Sequence, residues 1–194
     1  MTDRRDALRA LLLSHVPADT LEQTYRDRMV ELTHATGSLG REHVAPGHFT
    51  ASAFVLSPDE DSLLLILHSK LKVWLQPGGH IDAEDVDVVA AARREVAEET
   101  GLGDDDLEIV AGVGPLLDLD IHPIPANPRK GEGPHKHFDV RVLLRATTLQ
   151  ITAGSDAQDA RWVRLAEVED AGTDDSVRRA VRKLIARQTA VTES

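Results

Sequence analysis

Three glutamates carry the clearest chemical signal in this chain. They stand in Arg93-Arg94-Glu95-Val96-Ala97-Glu98-Glu99, within a segment at 86–100 whose pattern predicts a helix. With Glu95 at zero and about 100° per residue, Glu99 lies about 40° to one side and Glu98 about 60° to the other. The carboxylates therefore share an arc of roughly 100°. Val89, Ala92 and Val96 fill the neighbouring apolar arc, so the acids border the buried face instead of opposing it. For stability alone this is a poor arrangement: Glu95 and Glu99 are like-charged neighbours one turn apart, and all three sit toward the negative end of the helix dipole. Arg94 relieves part of the repulsion by pairing with Glu98 at i+4. Mg²⁺ or Mn²⁺, which take oxygen ligands, would turn the repulsion into coordination. The competing reading is a solvated acidic face.

A second polar group flanks the Pro/Gly-rich segment IPANPRKGEGP at 124–134, in Asp118-Leu119-Asp120-Ile121-His122 and His135-Lys136-His137-Phe138-Asp139. In a strand, His135, His137 and Asp139 project to one face. Three readings stand side by side. His-x-His is a metal-ligand spacing, which suits a second metal site or a zinc hydrolase. The histidines could instead be satisfied by ordinary hydrogen bonds. Or they form a substrate wall, with His122, His135 and His137 near phosphates and Arg129, Lys130 and Lys136 adding positive charge. His80 and Asp82 serve either a metal or base role or as helix caps. Trp74 is placed to stack on a base, whereas Trp162 follows a strand alternation into the core.

Several elements must position these groups. Residues 3–14 read as an amphipathic helix with Leu8, Leu11 and Leu12 on one side, broken by Pro17. A second helix follows, with Thr20 and Gln23 at capping-box spacing and Leu21, Tyr25, Met29 and Leu32 about one turn apart. FTASAFVL (49–56) and SLLLILHS (62–69) read as a two-stranded hairpin, and 73–76 as a short strand stopped by Pro77-Gly78-Gly79. That turn lets backbone approach a ligand closely. Asp82, Asp85 and Asp87 collect at the start of the glutamate helix, and Gly101 stands just past its end. Further strands are expected at 107–113, 116–121, 137–146 and 160–164, then a helix at 174–188 with a solvated basic face.

Composition narrows the function. The chain has 194 residues and no cysteine, which excludes disulfides, cysteine–zinc sites and thiol catalysis and fits a cytoplasmic location. Lys and Arg total 22 against 33 Asp and Glu, a net charge of −11. That argues against a nucleic-acid polymer as partner, and no apolar run suits a membrane. Residues 82–108 alone hold 11 acids and 2 bases, or −9.

GGHIDAEDVDVVAAARREVAEETGL, residues 78–102, resembles the Nudix box of the MutT-like hydrolases. Its second half matches throughout in Arg94, Glu95, Val96, Glu98, Glu99, Gly101 and Leu102. In the first half Asp85 stands where the pattern has Glu, and eight residues separate it from Arg94 where the pattern has seven, which leaves Asp85 without an assigned role. GGHID with DIHPIPANPRKGEGPHKHFDVR also resembles a subset of that superfamily. The resemblance implies an α/β fold, an α/β/α sandwich with a mixed β-sheet, in a domain at 46–190 preceded by a helical extension at 1–45. It implies Mg²⁺-dependent (or Mn²⁺-dependent) hydrolysis of a nucleoside diphosphate linked to another moiety. Glu95, Glu98 and Glu99 would hold metal, Glu98, Glu99 and Arg94 would be catalytic, and Gly79 and His80 would join the histidine wall around a small nucleotide-type substrate. Two alternatives stand beside it: a Nudix-fold binding or regulatory module without catalysis, and a metal hydrolase built on His122, His135 and His137. The helical extension is available for a homodimer contact.

Overall fold

β1 (His48–Leu56) is buried along its whole length, and it organises the sheet. The computed structural model describes residues 3–110, 114–128, 131–154 and 157–192. Two helices come first, α1 (Arg4–Ser14) and α2 (Thr20–Leu32), followed after β1 by β2 (Ser62–His68), β3 (Trp74–Leu75) and β4 (Gly78–His80). Then come α3 (Val88–Thr100), β5 (Leu107–Ile109), β6 (Leu116–Ile124), β7 (His135–Ala146), β8 (Ala157–Arg164) and α4 (Asp175–Thr192).

The sheet is mixed. β1 runs parallel to β7 from the His48–His137 pair to the Leu56–Arg145 pair, while β6 and β5 line the other edge of β7 antiparallel. The second edge of β1 is divided: Thr50–Ser52 pair with β4, and Leu56 meets Leu63 of β2. The expected hairpin is therefore joined only near its turn, and β2 continues against β8 and β3. Being covered on both sides, β1 and β7 alternate between two cores. Phe49, Ala51, Ala53, Val55, Phe138, Val140 and Val142 pack on α1, α2 and α3, through residues such as Leu12, Met29 and Val96. Phe54, Leu56 and Leu143 pack on Val177, Val181 and Leu184 of α4. Helices on both faces of a mixed sheet make the α/β/α sandwich. No helix among the described residues is long and apolar enough to cross a membrane.

Some local expectations change. The cap of α2 is Asp19, one residue earlier than the expected Thr20, and it accepts from the Glu22 amide. The Glu22 carboxylate accepts from the Ala18 amide, so the cap is not the reciprocal box expected of Thr20 and Gln23. Leu21 is exposed, while Met29 and Leu32 reach the core. The cap of α3 is Asp87, so neither His80 nor Asp82 performs that task. β6 extends to Ile124, residues 111–113 of the expected strand lie outside the described residues, and α4 runs beyond 188. The basic face of α4 is only partly solvated. Arg179 donates to Asp118 and Asp120, and Lys183 contacts Glu22 of α2.

Candidate functional site

α3 is held at both ends by its own sequence. Asp87 accepts from the Ala90 amide, and Gly101 takes φ 75°, the left-handed closure that suits glycine. The Thr152 and Gly154 amides donate to the Thr100 and Glu99 carbonyls, fixing the end that carries the glutamates. Glu99 is buried and Glu95 nearly so, whereas the Glu98 side chain is 58% exposed.

Arg94 ties this edge together. Its Nε and Nη2 donate to the two oxygens of Asp85 at 3.0 and 3.1 Å. Its Nη1 donates to both Glu95 and Glu98, at 3.0 and 3.1 Å, and Nη2 also reaches the His80 carbonyl at 2.8 Å. Asp85, to which the sequence pattern gave no role, is the buried anchor of this arginine. Burial works to raise its carboxyl, but Arg94 and the Asp82 amide outweigh that and hold it below the ordinary range. Burial pushes Glu95 the other way, above the ordinary carboxylate value, with Arg94 opposing. A nearby cation would favour the charged form of such a group.

The glycine turn makes close approaches, and to protein. The Gly78 amide donates to Glu99 Oε2 at 3.0 Å. A Cβ at Gly79 would lie 2.6 Å from the Glu95 carboxylate carbon, and one at Gly78 would strike Ser52. Glu95 and Glu99 thus lie against a loop that admits no side chain there. With Glu98 on the same edge of α3 they offer only oxygen donors, which suit Mg²⁺ or Mn²⁺ in kind.

Side chains alternate along β4, so Gly79 faces Glu95 while His80 points to the opposite side of the strand. There His80 meets His48 and His137, His135 packs on those same two rings, and His122 completes the group. Ring centroids are 4.9 Å apart for His48–His137, 5.1 Å for His48–His135 and for His48–His80, 5.2 Å for His80–His137 and 5.5 Å for His122–His137. Burial, then the neighbouring imidazoles, pushes His137 down to about 2. Burial, then Arg41, pushes His80 down to about 4. The structure thus unites the four histidines singled out in the sequence and adds His48. Its signal was the period-two polarity of His48, Thr50 and Ser52 in an otherwise apolar strand. Arg129 and Lys130 lie outside the described residues. Asp139 turns from the histidines to Thr50, Ser52 and Arg141, and the fully buried Arg141 is also within ion-pair distance of Asp118 and Asp120. Trp74 lies under the Arg161 guanidinium, 4.0 Å from the ring centroid. Trp162 packs on the first core.

The chain resembles known proteins in both sequence and fold. The family description "NUDIX domain" matches residues 46–185. A "Probable DHNTP pyrophosphohydrolase" of Lactococcus lactis subsp. cremoris (strain MG1363) is 32% identical over 118 residues, 60% of this chain. The match spans 66% of that relative's length. An Ap4A hydrolase from C. elegans superposes with TM-score 0.55 at 19% identity, covering 73% of this chain and 98% of that one. The NUDIX domain of Shewanella oneidensis NrtR, complexed with ADP ribose, gives TM-score 0.51 at 21% identity, covering 72% and 87%. The E. coli dihydroneopterin triphosphate pyrophosphohydrolase gives TM-score 0.52 at 16% identity, covering 72% and 95%. These structural likenesses establish the fold. With the family match over most of the chain and the glutamate helix seated on its glycine turn, the chain belongs to the Nudix hydrolase superfamily.

Proposed function

We propose that this protein is a Mg²⁺-dependent pyrophosphohydrolase that cleaves a nucleoside diphosphate linked to another moiety, by attack of an activated water on phosphorus. One observation carries the reading. Arg94, anchored by Asp85, aligns Glu95 and Glu98 on one edge of α3 while the Gly78 amide holds Glu99. Held by Glu95, Glu98 and Glu99, Mg²⁺ or Mn²⁺ would neutralise pyrophosphate oxygens and lower the pKa of a bound water. The protein's part is positioning and charge. Arg94 keeps two carboxylates from separating despite their like charge. Asp85, buried and ionised, keeps that guanidinium from swinging to the substrate as a simple counter-ion. Gly79 leaves Glu95 its place against the loop. We assign the far end of the substrate to His80, His122, His135 and His137, with the shallow depression formed by Pro46, Pro123, Pro125, Pro134 and Lys136 beside them. The names of the relatives, a DHNTP pyrophosphohydrolase and an Ap4A hydrolase, support a small nucleotide-type anhydride as substrate.

The test is a panel of dihydroneopterin triphosphate, Ap4A, ADP-ribose and nucleotide sugars with Mg²⁺ or Mn²⁺, read by product identity. Metal-dependent turnover of at least one is expected, with Glu98→Gln lowering it by about 10²-fold or more. Turnover unaffected by Glu98→Gln refutes the reading, and tight binding without turnover would favour a binding module.

A further inference from the structure

We propose that His48, His135 and His137 form a binding site for a zinc-class divalent cation, separate from the α3 carboxylates. The three offer ligand nitrogens that all lie within 4.8 Å of one another. A tetrahedral zinc site with bonds of about 2.0–2.1 Å separates its ligand atoms by about 3.4 Å, so modest ring rotations close the remainder. Two of the rings already have one nitrogen held by a backbone carbonyl. His48 Nδ1 lies 3.3 Å from the His43 carbonyl, and His135 Nδ1 lies 2.9 Å from the Gly133 carbonyl. A carbonyl only accepts, so each Nδ1 carries the proton, and in the neutral ring Nε2 then keeps its lone pair. Metal-ligating histidines are ordinarily fixed in this way, with one nitrogen donating to an oxygen and the other facing the ion.

The second observation is His48 itself. Its ring is 1% exposed, and its Nε2 has no hydrogen-bond partner among the described residues. A buried acceptor left unmade costs about 1–3 kcal/mol, a loss that coordination would remove. β4 divides this site from the carboxylates: His80 faces the imidazoles, and Gly79 faces Glu95. Donor chemistry divides them too. Three neutral nitrogens suit Zn²⁺ or Co²⁺, whereas Mg²⁺ prefers oxygen. Three protein ligands leave a fourth position for water or for a neighbouring imidazole, His80 or His122. The site does not rest on the pyrophosphohydrolase reading.

Chelator-treated full-length protein is titrated with Zn²⁺ against a chromophoric chelator, with and without millimolar Mg²⁺, and with Co²⁺ as a spectroscopic probe. The expected result is one equivalent of Zn²⁺ with sub-micromolar affinity, undisturbed by Mg²⁺, and visible Co²⁺ absorption typical of nitrogen ligation. His137→Gln and His135→Gln should each weaken Zn²⁺ at least about 100-fold, while Glu98→Gln leaves it unchanged. Circular dichroism confirms that each variant is folded, and the half-buried His135 provides the test should His137→Gln unfold. Absence of stoichiometric uptake by the wild-type chain overturns the proposal. So does uptake that survives the histidine changes or is lost in Glu98→Gln. None of these readings depends on turnover, so failure here is distinguishable from failure of the hydrolase reading.

Discussion

Adjacent glycines at 78 and 79 should respond in opposite ways to the same added methyl group. Neither is among the residues with positive φ, so alanine brings no backbone strain and only the contacts matter. At Gly79 the new Cβ would lie 2.6 to 2.7 Å from the Glu95 carboxylate carbon and oxygens, the free end of a flexible side chain. Glu95 can swing away at a cost of about 1 kcal/mol, the low end for overpacking. Displacement of a catalytic group by about 1 Å can cost about 10²-fold in rate. At Gly78 the Cβ would meet Ser52 Cα at 2.6 Å and the Ala51 carbonyl at 2.8 Å, which is strand backbone that cannot yield locally. The cost there should reach about 3 kcal/mol, or a Tm lower by roughly 6–12 °C for a chain of this size. Thermal melts and metal-dependent turnover of each variant, on whichever panel substrate the wild type accepts, supply the assay. Gly79→Ala should melt within about 4 °C of wild type yet lose about 10²-fold in kcat. A Gly79→Ala enzyme with full activity would refute the idea that the loop exists to seat Glu95. Equal melting losses for both variants would refute the distinction between flexible and rigid neighbours.

Two further outcomes follow from the same geometry. Asp85→Asn removes the charge that anchors Arg94 at 3.0 and 3.1 Å; kcat should fall at least about 10-fold with KM changed less, and stability by about 2–3 kcal/mol because the pair is only partly buried. Unchanged kcat in a folded variant would separate Asp85 from the site. Acid should destabilise the fold through the histidines, since His80 and His137 are held down to about 4 and about 2 against about 6.5 unfolded. Below about pH 6.5 the unfolded chain takes up protons that the folded chain declines, so stability falls with pH, through both groups to about 4 and through His137 alone to about 2. From pH 7.5 to 5.5 the loss is at most about 1.4 kcal/mol for each ring, less where water reaches its edge. A Tm constant or rising across that interval contradicts the assignment.

What could be read from the chain was whatever depends on neighbours a few residues away. The glutamate arc, the placement of Val96 against the core and the Gly101 terminus follow from helical period and backbone freedom, and the structure preserves all three. Asp85 was hidden because the inserted residue broke the spacing by which its partner would be sought. Its role follows only from the fold of the 80–87 loop back over Arg94. The basic face of α4 misled for a related reason. Periodicity gives a side chain's direction but not what waits there, and Lys183 meets Glu22 across a sequence separation of 161 residues.

The sequence by itself determined the carboxylate arc of α3 and the superfamily, because both are encoded in spacing along one element. Only the tertiary structure decided that β1 lies parallel to β7, bringing His48 beside His137 and Thr50 beside Asp139, 89 residues away. Strand register is set by the packing of both sheet faces at once, and no local pattern carries that information.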